Sequence, residues 1–422
     1  MDIGLHGGLA REDEDYAKDL GITWLKIMVA LDDDLTADPT SEWDPTRPVL
    51  VHDVTQFLER MQGLGIRVVI DLRTTYGSIT KLTSGAFREL GLDGKLTVNA
   101  APESKEAAMA IVAANMRACN GAAIEELCQR VRNVVNVNRD LCADWEWWGE
   151  WNCPATSQGV FNILAYPELF KAVAEAIRDG FSRPVFDVNA GSSYYPTARV
   201  WTGGNGMDLN GQWLELLVEN GVGHGWDVCN WHPYFLSDFG LKEQWGKPGF
   251  DRTEWYATAL EQQAGVMRRA FAKARKLLQE QGANQPFAST EWGRPHYGAL
   301  APDKREWADS NVRPEGVALL YEDEAVAAFD QELGIMEEYG FEAVMVHSLR
   351  DSAGSHWGQS CGLLDMDGKP KETYNVVKRW AAKAKQKRDE KQKRDEMMKQ
   401  KYLARSPRDK MLGGSPATKA GS

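Results

Sequence analysis

Two glutamates stand in surroundings that suit acid–base and nucleophilic work on an acetal. Glu150 lies in D-W-E-W-W-G-E-W-N-C-P and Glu291 in F-A-S-T-E-W-G, while W-D-V-C-N-W-H-P-Y carries His232 and Tyr234. Each group follows a short apolar run of strand type, which puts it at a strand tip. Cleaving a glycosidic bond needs one carboxylic acid to protonate the departing oxygen. It also needs one carboxylate to attack the anomeric carbon or activate water. The two must differ in proton affinity. A carboxylate that accepts a hydrogen bond from a tyrosine stays ionised, and one beside apolar indoles and a like charge holds its proton. Tyr234 could serve Glu291 in this way, and Trp148 and Trp151 flank Glu150. The chain has 16 tryptophans in 422 residues, and an indole stacks well on the flat apolar face of a sugar. Trp201, Trp292 and Trp357 are expected in or beside loops, as packing or as stacking platforms. Glu146 precedes Glu150 by four positions on the same side of its strand, so it should sit deeper, paired with Lys26. Asp71 and Arg73 read as a structural network or as sugar contacts.

Positioning these groups falls to alternating strands and helices. Candidate strands are Asp2–Leu5, Thr23–Val29, Ile66–Leu72, Cys142–Trp148, Pro184–Asn189, Gly225–Trp231, Pro286–Thr290 and Glu342–Ser348. Runs such as IRVVIDL and EAVMVHS are apolar almost throughout, as suits strands covered on both faces of a parallel sheet. Helical periodicity marks Val51–Gly63, Lys105–Val131, Tyr166–Asp179, Glu254–Gln281 and Glu322–Tyr339, several closed by glycine. Eight such units predict an α/β fold, a (β/α)8 TIM barrel over residues 1–380. Catalytic groups of such barrels sit at the carboxyl ends of the strands. A loop at Thr75–Pro102, after the third strand, is expected on that face. Residues 381–422 form a basic C-terminal extension of net charge +8, helical through two copies of KQKRDE and then disordered.

The chain resembles the clan A glycoside hydrolases, retaining enzymes on (β/α)8 barrels. The likeness rests on W148-G149-E150-W151-N152, T290-E291-W292-G293, the His232-Pro233-Tyr234 triplet and the closing GLLDMDGKPKETYNVV, and spans residues 1–380. It implies Glu150 as acid/base and Glu291 as nucleophile, with Tyr234 keeping Glu291 ionised. It also places His232 beside them in the site; Trp148, Trp151, Asn152, Trp292, His347 and Lys26 are further expected substrate contacts. Gly149 stands where the clan carries an asparagine, Trp151 where it carries proline, Lys26 near its strand-two arginine and His347 near its strand-eight tryptophan.

These residues imply a retaining glycoside hydrolase cleaving a β-linked oligo- or polysaccharide. A competing reading is a weak or inactive barrel that binds glycan or serves as a structural, even virion-associated, component. A third is a metal-assisted hydrolase holding an ion among His232, Asp227 and a glutamate. No metal or organic cofactor is expected, because no HExxH, phosphate loop or G-x-S-x-G elbow occurs. A net charge of −12 argues against a nucleic-acid partner, the tail being the one basic feature. No apolar run is long enough to cross a membrane. The start, MDIGLHGG, has no signal-peptide pattern, which fits a cytoplasmic location and leaves a trimmed leader open. Six cysteines without CxxC spacing read as reduced core thiols.

Overall fold

The computed structural model describes residues 1–31, 51–73, 121–151, 160–182, 185–187, 192–194, 197–206, 212–219, 221–222, 225–234, 247–296, 320–352 and 360–404. In chain order the strands are β1 (Asp2–His6), β2 (Trp24–Ala30), β3 (Arg67–Arg73), β4 (Asp144–Trp147), β5 (Val185–Asp187), β6 (Ser192–Tyr194), β7 (Arg199–Trp201), β8 (Asn205–Gly206), β9 (Cys229–His232), β10 (Phe287–Trp292) and β11 (Phe341–Val346). They are ordered β7-β4-β3-β2-β1-β11-β10-β9-β8, and every pair in this sheet is parallel. A parallel bridge between Trp201 and Val228 joins the two ends. The result is the (β/α)8 barrel, with β8 prolonging the stave begun by β7.

Period-two alternation sorts the side chains into an inner and an outer set. The outer set, including Leu25, Ile27, Val68, Ile70, Trp145 and Trp147, packs under the helices in one large core. The inner set is a separate cluster of Trp24, Val69, Trp201, Val228, Ala288, Ala343 and Met345. Trp24 and Trp201, with centroids 5.5 Å apart, fill much of that layer. Below it Asp144 accepts from Arg67 (2.8 Å), Arg199 (3.1 Å) and the Trp201 indole (3.0 Å), which plugs the amino-terminal end. Two residues further along each strand the interior turns polar, with Lys26, Asp71, Asn230 and Thr290 fully buried. That polar layer is the floor of the candidate site.

The helices are α1 (Glu14–Leu20), α2 (Val51–Gly63), α3 (Gly121–Asn138), α4 (Val160–Gly180), α5 (Gln212–Glu219), α6 (Arg252–Glu280), α7 (Glu322–Glu338) and α8 (Glu372–Ala404). Asp251 caps α6 by accepting from the backbone N–H of Thr253 at 2.8 Å and of Glu254 at 3.3 Å. Helix α8 buries Tyr374, Val376, Val377, Ala381 and Ala384 against the barrel. Lys383 and Lys387 pair with Glu337 on α7, and Arg388 pairs with Asp2. From Asp389 to Gln400 its side chains are all exposed, which is what the charged KQKRDE repeats require.

One expected strand is corrected. Val185–Asp187, the described part of the expected 184–189 strand, does not supply the fifth stave, since among the described residues β5 pairs with β6, antiparallel, in a separate ribbon. The stave is β7, which pairs with β4 through Asp144–Arg199, Trp145–Val200 and Glu146–Trp201. The loop expected at Thr75–Pro102 and the helical start at Lys105 lie outside the described residues, as does the chain beyond Ala404. Among the described residues no helix is long and apolar enough to cross a membrane, and Cys128, Cys142, Cys229 and Cys361 are buried and in no disulfide.

Candidate active site

Glu150 follows β4 on a backbone of unusual shape. Both Trp148 and Glu150 have φ of 57°, in the left-handed region that non-glycine residues avoid. Holding such residues costs about 1–3 kcal/mol each, so neighbours must over-determine them. They do: Glu150 N–H donates to Gly204 O at 3.0 Å and Gly149 N–H to the Asp71 carboxylate at 3.1 Å, while Arg73 donates to Gly149 O at 3.3 Å. Gly149 between them has no room for a side chain. A Cβ there would lie 2.7 Å from Arg73 Nη2 and 2.9 Å from both Asp71 Oδ2 and Lys26 Nζ. The space that an asparagine would need is thus occupied by a charged cluster.

Glu291 is aimed by an irregularity in β10. Its pairing with β11 shifts register between Phe287 and Ser289 and again between Ser289 and Trp292. Bulges of this kind re-aim side chains. Thr290 and Glu291 are neighbours in sequence, yet both reach the barrel interior and its mouth.

The two carboxylates meet at His232. His232 Nδ1 lies 3.2 Å from Glu150 Oε1 and 3.6 Å from Glu291 Oε2, and one donor atom from each of the three residues falls within 4.8 Å of the others. The hydrogen bonds fix the ring's tautomer. Thr290 Oγ1 accepts from Asn230 at 2.7 Å and from Lys26 at 3.3 Å, so its one proton goes to His232 Nε2 at 3.1 Å. Nδ1 then carries the ring proton and donates to Glu150. The fit is close, because a Cβ on Gly204 would lie 2.1 Å from the His232 ring.

Tyr234 donates to Glu291 Oε1 at 3.0 Å. Burial pushes the Tyr234 phenol well above its ordinary value, so it remains a donor. His6 and His347 complete the wall, 3.7 and 3.8 Å from the Glu291 oxygens. Burial opposes the Glu291 charge; the facing His6, His232 and His347 and the Lys26 ammonium outweigh it and hold the carboxyl well below the usual range. His6 itself is pushed down to about 3, chiefly by burial. Glu150 and Glu291 are 21% and 16% exposed, so both open to the mouth rather than to the core.

The floor is an ion cluster. Lys26 Nζ lies 3.3 Å from both Asp71 and Glu146, all three fully buried, and Arg73 lies 2.9 Å from Asp71. Burial raises Glu146, while Arg73 and Lys26 outweigh the burial of Asp71 and lower it. The expected pairing of Glu146 with Lys26 is present.

Glu150, Glu291, Tyr234, His232 and His347 come together as read from sequence. The expected sugar contacts of Lys26, Trp148, Trp151, Trp292 and His232 are corrected, because all five are buried, His232 against the carboxylate pair. Lys26 belongs to the floor. Trp151 stacks on Tyr166 at 4.4 Å and packs edge-on against Trp213. Trp292 packs on Phe329 and donates to Glu332 at 2.7 Å. Trp148 lies against Trp147. Trp201 is inside the barrel, not at a loop. Asn152 and Trp357 lie outside the described residues. Asp227 stands apart, accepting from Val200 N–H and Arg178. Sequence reasoning missed His6, Asn230 and Thr290. His6 directly follows the predicted first strand, so applying the strand-tip rule there too would have found it.

No family model matches the chain, and no curated protein does. Among solved structures, a family 39 glycoside hydrolase from the gut symbiont Bacteroides cellulosilyticus WH2 matches with a TM-score of 0.51 at 14% identity, over 90% of this chain and 63% of that one. An exo-β-1,4-mannosidase from Opitutaceae bacterium strain TAV5 matches with a TM-score of 0.49 at 13% identity, over 92% and 60%. A broad-specificity endoglucanase from Clostridium acetobutylicum matches with a TM-score of 0.48 at 12% identity, over 90% and 97%. The chain thus spans under two thirds of the first two. The first likeness agrees with the barrel fold and carries no more than that.

Proposed function

We propose that the chain is a retaining glycoside hydrolase acting on a β-linked oligo- or polysaccharide. The observation that carries this is the meeting of Glu150 and Glu291 at His232, with donor atoms within 4.8 Å. Retaining enzymes hold their carboxyl groups about 5–5.5 Å apart and inverting ones about 6.5–9.5 Å. The asymmetry of the pair supports the assignment of roles. Glu291 accepts from Tyr234 and is held ionised, as a nucleophile must be.

In the first half-reaction a Glu291 oxygen bonds to the anomeric carbon as the bond to the leaving oxygen breaks. Glu150 gives its proton to that oxygen. In the second, water adds to the anomeric carbon, the Glu291 ester breaks, and the water proton goes to Glu150. His232, through its Nδ1–H, orients Glu150 in both.

A panel of aryl β-glycosides tests the proposal. The expected result is turnover with the anomeric configuration retained in the first-formed product by NMR. Glu291→Gln should abolish it. Glu150→Gln should slow poor leaving groups far more than a dinitrophenolate, which needs no protonation. Absence of turnover across the panel, or an inverted product, would overturn the proposal.

A further inference from the structure

Three imidazoles ring the Glu291 carboxylate, and the hydrolytic scheme uses only His232 among them. One ring nitrogen of His6, one of His347 and one Glu291 oxygen fall within 4.8 Å of one another. The two rings meet edge-on with centroids 4.9 Å apart. We propose that His6, His347 and Glu291 form a binding site for a divalent transition cation of the zinc kind, and that a cation there withholds Glu291 from a sugar.

The donor set is the first support. Two imidazoles and one carboxylate suit zinc, leaving one position for water. Zinc–nitrogen and zinc–oxygen bonds of about 2.0–2.2 Å place tetrahedral donors roughly 3.3–3.5 Å apart. Donors bounded by 4.8 Å need to close by at most about 1.5 Å, which small side-chain rotations supply.

The second support is the state of the ring nitrogens. His6 Nδ1 lies 3.2 Å from Thr290 O, and a carbonyl only accepts. That same Nδ1 is the His6 nitrogen 3.7 Å from Glu291 Oε2, so a cation bound there would take the place of its proton. His347 Nδ1 is buried and has no hydrogen-bond partner among the described residues. Such an atom is costly in a folded protein, and a cation would satisfy it. The ring is nonetheless 16% exposed, as is Glu291, so an ion can enter from the mouth.

Competition with sugar rests on the function proposed above; metal binding does not. Zinc chloride titrated into the purified full chain by calorimetry should show one ion per chain. His6→Ala and His347→Ala should each weaken it by about tenfold or more, since losing even an outer partner of a metal site costs that much. No stoichiometric binding, or binding untouched by both substitutions, would overturn the site. Should either variant fail to fold, cobalt(II) on the unaltered chain decides. One equivalent should give visible bands of a nitrogen-ligated, low-coordinate ion that zinc bleaches, and a spectrum of hydrated cobalt overturns the site. Where the chain turns over a glycoside, zinc should inhibit competitively, and stoichiometric zinc without inhibition would remove Glu291 from the ligands. A chain that binds zinc through both histidines yet cleaves no glycoside would sink the hydrolase and leave the metal site standing.

Discussion

Tyr234 and Glu291 divide one task, the keeping of a negative charge in a half-closed cavity. Burial opposes that charge, and a donor 3.0 Å away offsets part of the cost. A hydrogen bond to a charged group contributes about 1.5–3 kcal/mol. Tyr234→Phe removes it with little change of shape, so kcat/KM on an aryl β-glycoside should fall by roughly tenfold to a hundredfold. The ionised form loses its donor, so the Glu291 pKa rises and the acidic limb of the pH–rate profile moves to higher pH. A uniform fall with the limb unmoved would make Tyr234 a packing residue. The pair was legible because two sequence segments each bring a polar group to a predicted strand tip. The tryptophans beside them were not. Thr290 points inward, so plain alternation would turn Trp292 inward too. The register shift in β10 gives that place to Glu291 and sends Trp292 out beneath α7. Nothing in FASTEWG marks the shift.

That bulged end is fastened from outside by a helix. Glu332 of α7 is fully buried, accepting from the Trp292 indole at 2.7 Å and from Arg294 Nε at 2.8 Å. Removing one member of a buried ion pair costs about 3–5 kcal/mol, because the partner's charge is left in a medium that cannot solvate it. Glu332→Ala should lower the unfolding free energy by that amount in urea titrations, while Glu332→Gln, which keeps an acceptor for the indole, should lose less. Equal losses would mean that the indole bond contributes nothing and the charge everything. Elements of this length were readable: α2 falls on the predicted Val51–Gly63, and α7 within a residue of the predicted Glu322–Tyr339. The fifth stave was not, because it is three residues long and opens on Arg199, whose charge is spent on Asp144 and Glu342 at the amino-terminal end of the barrel. A short strand whose polar residue finds a buried partner carries no apolar run to betray it, whereas PVFDVN carries one, and its Val185–Asp187 forms a side ribbon.

Closing the barrel over polar residues ties the stability of the whole chain to protons. His6 at the site and His296 under α8 are both pushed down to about 3, chiefly by burial. In the unfolded chain both titrate near 6.5. Between those values the unfolded state binds protons that the folded state refuses, so stability falls as pH falls and is level above about pH 7. His347 is lowered in the same direction by the same cause. The depressed carboxyls, Glu291 and Asp71, work in the same sense but only below the unfolded carboxylate range near 4. In the window from about pH 5 to 6.5 the histidines lower stability as pH falls, each by up to roughly 1.4 kcal/mol per pH unit, while the raised carboxyls Glu146 and Asp351 act in the opposite sense. His296 is the cleaner probe, because its contacts are Arg294 O at 2.7 Å and the Thr373 hydroxyl at 2.9 Å, away from the carboxylate pair. Urea titrations at pH 7.5, 6 and 5 should show His296→Gln shifting the whole curve down through lost packing while flattening its slope by about one histidine's share. A slope unchanged by the substitution would mean that the folded chain protonates His296 in that window, and that its burial does not hold at acid pH.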